Sequence, residues 1–182
     1  MVLPLAGYSP PTLLSAPKGE RLHLRLSTQG RSCTLVKVRG ESVQHCLMKG
    51  FVWALLLPMY PDAVCELDIG HHYKPDVVSL TEQGAPAFWG ECGAVTTTKL
   101  GKLAAEFPAT HFVVCKWAHS DVSGYAEQLR SELALPPRTA PFELLSIPDN
   151  GPAEYISDNG EVSLTRDDLQ VVQLAELIGP SL

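Results

Sequence analysis

The alternation of apolar and polar positions predicts the first regular elements of the chain. Between residues 20 and 27, leucines occupy every second position, and charged or histidine residues stand between them. A period of two is typical of a strand with one buried face. A turn at residues 28–30 precedes a second run at 32–38, so the pattern predicts a β-hairpin. Residues 1–19 contain four prolines and predict an irregular arm.

A longer apolar run over residues 43–57 predicts a buried helix. Ser42 stands where serine is a favoured N-cap, and Pro58 stands where a helix must end. The helix contains His45 and Lys49, one turn apart, and no carboxylate.

Three predicted strands follow, at residues 63–69, 74–80 and 88–93. In the first, Glu66 shares one face with Val64 and Asp68, because alternate side chains of a strand point the same way. The polar linker 81–86 contains Gly and Pro and is short enough to close a hairpin between the second and third strands.

A helix at residues 99–107 comes next, capped by one of the threonines 96–98 and ended by Pro108. The continuous apolar run 110–117 predicts a central, buried strand. The order helix, strand, strand, strand, helix, strand over residues 42–117 therefore predicts an α/β protein. We expect a central mixed sheet with an αβββαβ core and helices on both faces.

The rest of the chain predicts further additions to this core. They are a helix capped at Ser120-Asp121 and continuing to Leu135, a strand at 142–147, an Asn159-Gly160 hairpin and a terminal helix at 166–178. We predict a single domain, 1–182, with the core at 42–117, an arm and hairpin at 1–41 and additions at 118–182.

Composition and charge narrow the classes of function. The net charge of −6 counts against a broad electrostatic grip on nucleic acid, although a local contact stays open. No apolar run is long enough to cross a membrane, and the start of the chain does not resemble a secretory signal. Five widely spaced cysteines predict free, mostly buried thiols and a cytoplasmic protein. A homo-oligomer is compatible with the sequence.

Asp76 and Glu91 are the candidate functional residues of the predicted hairpin. Each lies on one of two consecutive strands, so both carboxylates can meet near one end of the sheet. Close carboxylates repel each other, and a divalent cation or a shared proton offsets the repulsion. The alternative is that both acids are solvated strand ends.

The spacing of these residues resembles a known family. Pro75-Asp76 is followed, after fourteen residues, by Glu91-Cys92-Gly93 on the next strand. Inside an αβββαβ order over residues 42–117, this arrangement resembles the PD-(D/E)xK nuclease superfamily. The resemblance implies a restriction-endonuclease-like fold and hydrolysis of phosphodiester bonds in DNA or RNA with Mg²⁺ or Mn²⁺.

The resemblance also assigns metal ligands. Asp76 and Glu91 correspond to the metal-binding acids, and the backbone carbonyl of Cys92 to a third ligand. Oxygen donors of this kind suit Mg²⁺ or Mn²⁺. Glu66 or Asp68, on the strand beside Asp76, is expected to supply an additional acid, with Glu66 preferred. The alternative is that both residues lie on a solvent-facing edge.

The family's lysine is expected two residues after Glu91, where this chain has Gly93. Some members of the superfamily carry the lysine on the following helix, and Lys99 and Lys102 are the candidates for that role. Lys99 lies near the helix start, where the dipole also favours phosphate. A solvated helix face is the alternative for both lysines.

Two other classes of function remain open. The acidic balance and the missing lysine fit a catalytically inactive, nuclease-like binding or assembly module. A thiol-dependent enzyme would use Cys92 as nucleophile with His71 or His72 as base. The alternative is that Cys92 is a small core residue without a chemical role.

Overall fold

The structure is a computed structural model that describes residues 4–178. The ends of the predicted arm and of the predicted C-terminal additions, residues 1–3 and 179–182, lie outside the described residues. Within the arm, a 3-10 helix spans Pro10–Ser15.

The predicted N-terminal hairpin is confirmed. Strands β1 (Leu22–Thr28) and β2 (Arg31–Lys37) pair antiparallel as a separate two-stranded sheet. Its alternate leucines are buried and pack on the first helix, α1 (Val43–Leu56). The approach is so close that a Cβ at Gly50 of α1 would force the side-chain end of Leu26 to move.

Six further strands form one mixed sheet, in the order β3 to β8. They are β3 (Val64–Cys65), β4 (Val77–Leu80), β5 (Pro86–Cys92), β6 (His111–Trp117), β7 (Phe142–Ile147) and β8 (Val171–Gln173). The first three are antiparallel neighbours, β6 lies parallel to β5 and β7 parallel to β6, and β8 returns antiparallel to β7. The predicted crossover to a central parallel strand is confirmed.

Helices cover both faces of this sheet, as predicted. On one face, α1 and the hairpin pack with Cys92 and Val113 in one apolar core. On the other face, α2 (Thr97–Glu106) and α3 (Val122–Leu133) pack with Trp89 and Phe112 in a second core. A short helix, α4 (Gly151–Tyr155), follows β7. The α/β class and the mixed sheet are therefore correct.

The prediction of a strand at residues 63–69 is wrong beyond Cys65, since β3 spans only Val64–Cys65. The strand ends at Cys65 because Glu66 adopts a left-handed conformation with φ of 58°, which turns the chain out of the sheet. Leu67 and Asp68 are exposed. The next strand also starts later than expected, at Val77, so Asp76 stands just before it.

The terminal helix expected at 166–178 is also wrong. A single 3-10 turn, Arg166–Asp168, is closed by Asp168, whose carboxylate accepts hydrogen bonds from the main chain and hydroxyl of Thr165. The chain then extends as β8 along the open edge of β7. The β-branched Val171 and Val172 favour that extended pairing.

Candidate functional site

Asp76 lies just before β4, beside the end of β5. Its main-chain N–H donates to the carbonyl of Gly90 at 3.1 Å, and its Oδ2 accepts from the N–H of Cys92 at 2.7 Å. The carboxylate is therefore held against the end of β5, one residue beyond Glu91. The predicted hairpin does bring these two acids to the same end of the sheet.

His45 of α1 partners Asp76. Its Nε2 lies 3.5 Å from Oδ1 of Asp76, and its Nδ1 lies 2.8 Å from Oε1 of Glu41. Burial alone would raise the pKa of Asp76, but the hydrogen bonds from His45 and from Cys92 N–H outweigh it and lower the pKa. The contact with Asp76 raises the pKa of His45. The lowered pKa favours the ionised form of Asp76, and the raised pKa favours the protonated form of the His45 imidazole.

Lys49, one turn further along α1, joins two carboxylates. Its Nζ lies 2.6 Å from Oε1 of Glu41 and 2.6 Å from Oε1 of Glu66, and its side chain is buried. Burial would lower the pKa of Lys49, but the hydrogen bonds to the two carboxylates raise it. The structure thus places the Glu66 carboxylate on Lys49, although the Glu66 main chain donates to the Asp76 carbonyl at 2.9 Å.

Glu91 of β5 is buried between two donors on the α2 face of the sheet. Its Oε1 accepts from Nε1 of Trp89 at 2.7 Å, and its Oε2 accepts from Nζ of Lys99 at 2.7 Å. Burial raises the pKa of Glu91 in spite of both donors, and the negative charge of Asp76 adds to the rise. The two carboxylates are therefore close enough to influence each other.

Lys99 reaches Glu91 from the first turn of α2. Thr96 caps this helix and accepts from the N–H of Lys99 at 3.2 Å, so the lysine is anchored at the helix start. Lys102 lies further along the helix, where its side chain is exposed. Within residues 4–178, Lys102 contacts neither Asp76 nor Glu91 by a hydrogen bond or ion pair.

Gly93, at the position where the resembled family has its lysine, has φ of 76°. A Cβ there would meet only Met48 and His45, at ordinary contact distances of 3.5 and 3.6 Å. The obstacle to a side chain is therefore the left-handed backbone, which costs a non-glycine residue about 1–2 kcal/mol. In this chain a lysine ammonium reaches Glu91 from α2 instead.

The geometry counts against thiol chemistry. Cys92 is buried in the core on the α1 face, and burial raises the pKa of its thiol well above the usual value. His71 lies on the other face, where it packs on Trp89 and Phe107 and pairs with Glu106 at 3.1 Å. His72 is exposed and packs on Tyr73.

The oxygen donors of Asp76, Glu91 and Cys92 suit Mg²⁺ better than a metal that needs a full set of protein ligands. Among residues 4–178, no group of three or more His, Cys, Asp or Glu side chains could hold a metal ion. Mg²⁺, however, is usually bound by one or two carboxylates, with waters and substrate phosphates completing its shell. Asp76 and Glu91, with the Cys92 carbonyl, have the oxygen chemistry for that mode. Glu91 also carries a buried charge that Lys99 compensates only in part.

Glu41 is the carboxylate beside the candidate site that the sequence analysis did not identify. It stands just before the N-cap of α1, outside the predicted helix. The available signal is its spacing, since Glu41, His45 and Lys49 recur every four residues and therefore share one side of a helical path.

None of the helices in the described range 4–178 is both long and apolar enough to cross a membrane. The five cysteines all lie in this range and are free thiols, three of them buried, as predicted.

No protein-family model and no curated protein matches the sequence. Among solved structures, the YaeQ protein from Pseudomonas syringae aligns with a TM-score of 0.51 at 10% identity, over 75% of this chain and 76% of that one. The YaeQ protein from Xanthomonas axonopodis pv. citri aligns with a TM-score of 0.49 at 11% identity, over 83% and 89%. At this identity the first likeness shows a shared fold alone.

Proposed function

We propose that the protein is a divalent-metal-dependent nuclease that hydrolyses phosphodiester bonds of DNA or RNA at Asp76, Glu91 and Lys99. The observation that carries the proposal is the placement of Lys99. Its ammonium lies 2.7 Å from the Glu91 carboxylate, although it comes from α2 and not from the strand position held by Gly93. The site thus combines two coupled carboxylates with a lysine, which is the residue set of the resembled family.

Each side chain has a task that follows from its surroundings. Asp76 is ionised and fixed by the Cys92 N–H, so it offers a preoriented anionic oxygen. Glu91 is buried and carries a raised pKa, so it gains from any cation brought near it. Lys99 holds a positive charge where the charge of a phosphodiester develops during cleavage, and such fixed charges stabilise the transition state.

When bound by Asp76, Glu91 and the Cys92 carbonyl, Mg²⁺ or Mn²⁺ would supply Lewis-acid polarisation of the phosphoryl oxygen and a more acidic water. His45 keeps Asp76 charged and oriented in the metal-free protein. A cytoplasmic location accords with the free thiols.

A second candidate is a catalytically inactive binding module on the same fold. It is favoured by one observation, that both oxygens of Glu91 already accept hydrogen bonds within the chain. The two functions differ in whether the acids are required for cleavage.

The test is cleavage of single-stranded and double-stranded DNA and of RNA in Mg²⁺ and Mn²⁺. We expect Asp76→Asn and Glu91→Gln to abolish cleavage and Lys99→Met to slow it about 100-fold. Glu132→Gln is the matched control, because this acid of α3 is exposed and accepts a hydrogen bond from Gln128.

Cleavage that survives both acid substitutions would overturn the proposal. Mn²⁺ binding without cleavage, followed by electron paramagnetic resonance and lost in Asp76→Asn, would establish the binding module instead. Loss of activity in the Glu132→Gln control would show that the effect does not depend on the site.

A further inference from the structure

Two tyrosine–lysine pairs lie beside the candidate site on the α2 and α3 side of the sheet. Nζ of Lys99 lies 5.3 Å from the ring centroid of Tyr73. Nζ of Lys116, at the end of β6, lies 5.2 Å from the ring centroid of Tyr125 on α3. Distances of this size allow cation–π attraction, so each ammonium is held against an aromatic face.

An exposed histidine extends each pair outward. The ring of His72 lies 4.7 Å from that of Tyr73, and the ring of His119 lies 4.9 Å from that of Tyr125. Both histidines are exposed and both tyrosines are partly exposed. Each side of the site therefore presents two aromatic rings and one lysine.

The two pairs meet at the end of β5. Lys99 donates to Glu91 at 2.7 Å, and Lys116 donates to the carbonyl of Gly93 at 2.6 Å. Residues 91 and 93 bracket Cys92, whose N–H holds Asp76. The two pairs with their histidines form an aromatic strip next to the acids: His72, Tyr73, Lys99, Lys116, Tyr125 and His119.

The charge of the aromatic strip is local. Within residues 4–178, Lys116 has no carboxylate at ion-pair distance, and its Nζ donates to a main-chain carbonyl, so no acidic side chain neutralises its charge. Glu106 on α2 is engaged with His71, and Asp121 caps α3 by accepting from Gly124. Two lysines among aromatic rings suit a ligand that stacks, whereas a net charge of −6 opposes binding by electrostatics alone.

We propose that the aromatic strip binds single-stranded nucleic acid, with bases stacked on Tyr73 and Tyr125 and phosphates near Lys99 and Lys116. The inference rests on the proposed function, because it names the substrate class of that same site. Unpaired bases can turn their faces to aromatic side chains, and such stacking tolerates any sequence. In a duplex those faces are stacked inside the helix.

The test is binding of a labelled oligothymidylate of about ten nucleotides, measured by fluorescence anisotropy in EDTA so that no cleavage intervenes. The comparison ligand is a blunt duplex of the same length. We expect tighter binding of the single strand. Tyr73→Leu and Tyr125→Leu are each expected to weaken it about fivefold to 100-fold.

Conservative variants separate stacking from folding. Tyr73→Phe and Tyr125→Phe keep the ring and are expected to retain the affinity. Tyr155→Leu removes a tyrosine on α4, outside the aromatic strip, and is also expected to retain it. The logarithm of affinity should fall with the logarithm of salt with a slope of only about −1.4, the value for two phosphate contacts on a single strand.

Equal binding of duplex and single strand, or full affinity in both leucine variants, would overturn the inference. Cleavage that depends on Asp76 and Glu91 but not on the tyrosines would refute the strip and leave the proposed nuclease standing. Tyrosine-dependent binding by a protein whose cleavage ignores both acids would refute the nuclease alone.

Discussion

Replacing Glu143 by glutamine should remove a buried ion pair of the central sheet. Glu143 is buried at the start of β7 and accepts four hydrogen bonds. Nε2 of His111 donates at 3.0 Å, the guanidinium of Arg166 donates at 3.0 and 2.8 Å, and Nε2 of Gln173 donates at 2.8 Å. These contacts join β6, β7, β8 and the 3-10 turn around one carboxylate.

The magnitude follows from the pKa of Glu143. Burial opposes ionisation, but the hydrogen bonds from His111 and Arg166 lower the pKa from 4.5 to about 2. A difference of about 2.5 units corresponds to about 3 kcal/mol of stability. Because the folded pKa is depressed, this stability is fully present above pH 4.5 and is lost as the pH falls toward 2. Less than half remains at about pH 3.

The assay is urea unfolding of the wild type and of Glu143→Gln between pH 7 and pH 3. We expect a difference in unfolding free energy of about 3 kcal/mol at pH 7, which shrinks by more than half at pH 3. Glu132→Gln, an exposed acid paired with Gln128, should change stability by less than about 0.5 kcal/mol. A difference that is small at pH 7, or that stays constant with pH, would refute the reasoning.

Two further substitutions test the backbone and the second core. Gly93→Ala should destabilise the fold by about 1–2 kcal/mol in urea unfolding, since φ is 76° there. Gly19→Ala, at ordinary φ and with open space around it, should not destabilise it. Equal stabilities of the two variants would contradict the strain at Gly93. Arg138→Met should lower the free energy of unfolding by at least about 3 kcal/mol and lower the melting temperature. The reason is that this buried guanidinium donates to three main-chain carbonyls near the end of α2. An unchanged melting temperature would contradict that role.

Local patterns were enough to predict most of the sheet and its helices. The period-two leucines predicted β1, Ser42 and Pro58 bounded α1, and the continuous apolar run predicted β6 as a central strand. Each of these depends on neighbours within a few residues, or on burial so complete that every position is apolar. The prediction of two strands joined by residues 81–86 then placed Asp76 and Glu91 at one end.

The errors arose where distant contacts decide the local structure. The spacing of the last apolar residues suits a helix, but the open edge of β7 and the Glu143 carboxylate draw residues 166–173 into a turn and a strand. The strand ends before Glu66, where the backbone is left-handed and the carboxylate contacts Lys49 on α1, a partner seventeen residues away. Neither contact can be predicted from the pattern of residues within its own segment.

The backbone conformation at Gly93 helps to explain which residues partner the two acids of the candidate site. The left-handed turn at Gly93 excludes an unstrained side chain at that position. A Cβ there would also lie 3.6 Å from the imidazole of His45. Partners reach the two acids from both faces of the sheet: His45 lies 3.5 Å from Asp76, and Lys99 lies 2.7 Å from Glu91. The two acids consequently differ: Asp76 is held ionised, while the pKa of Glu91 is raised, and environments that separate two carboxyl pKa values are typical of sites where the acids have different roles.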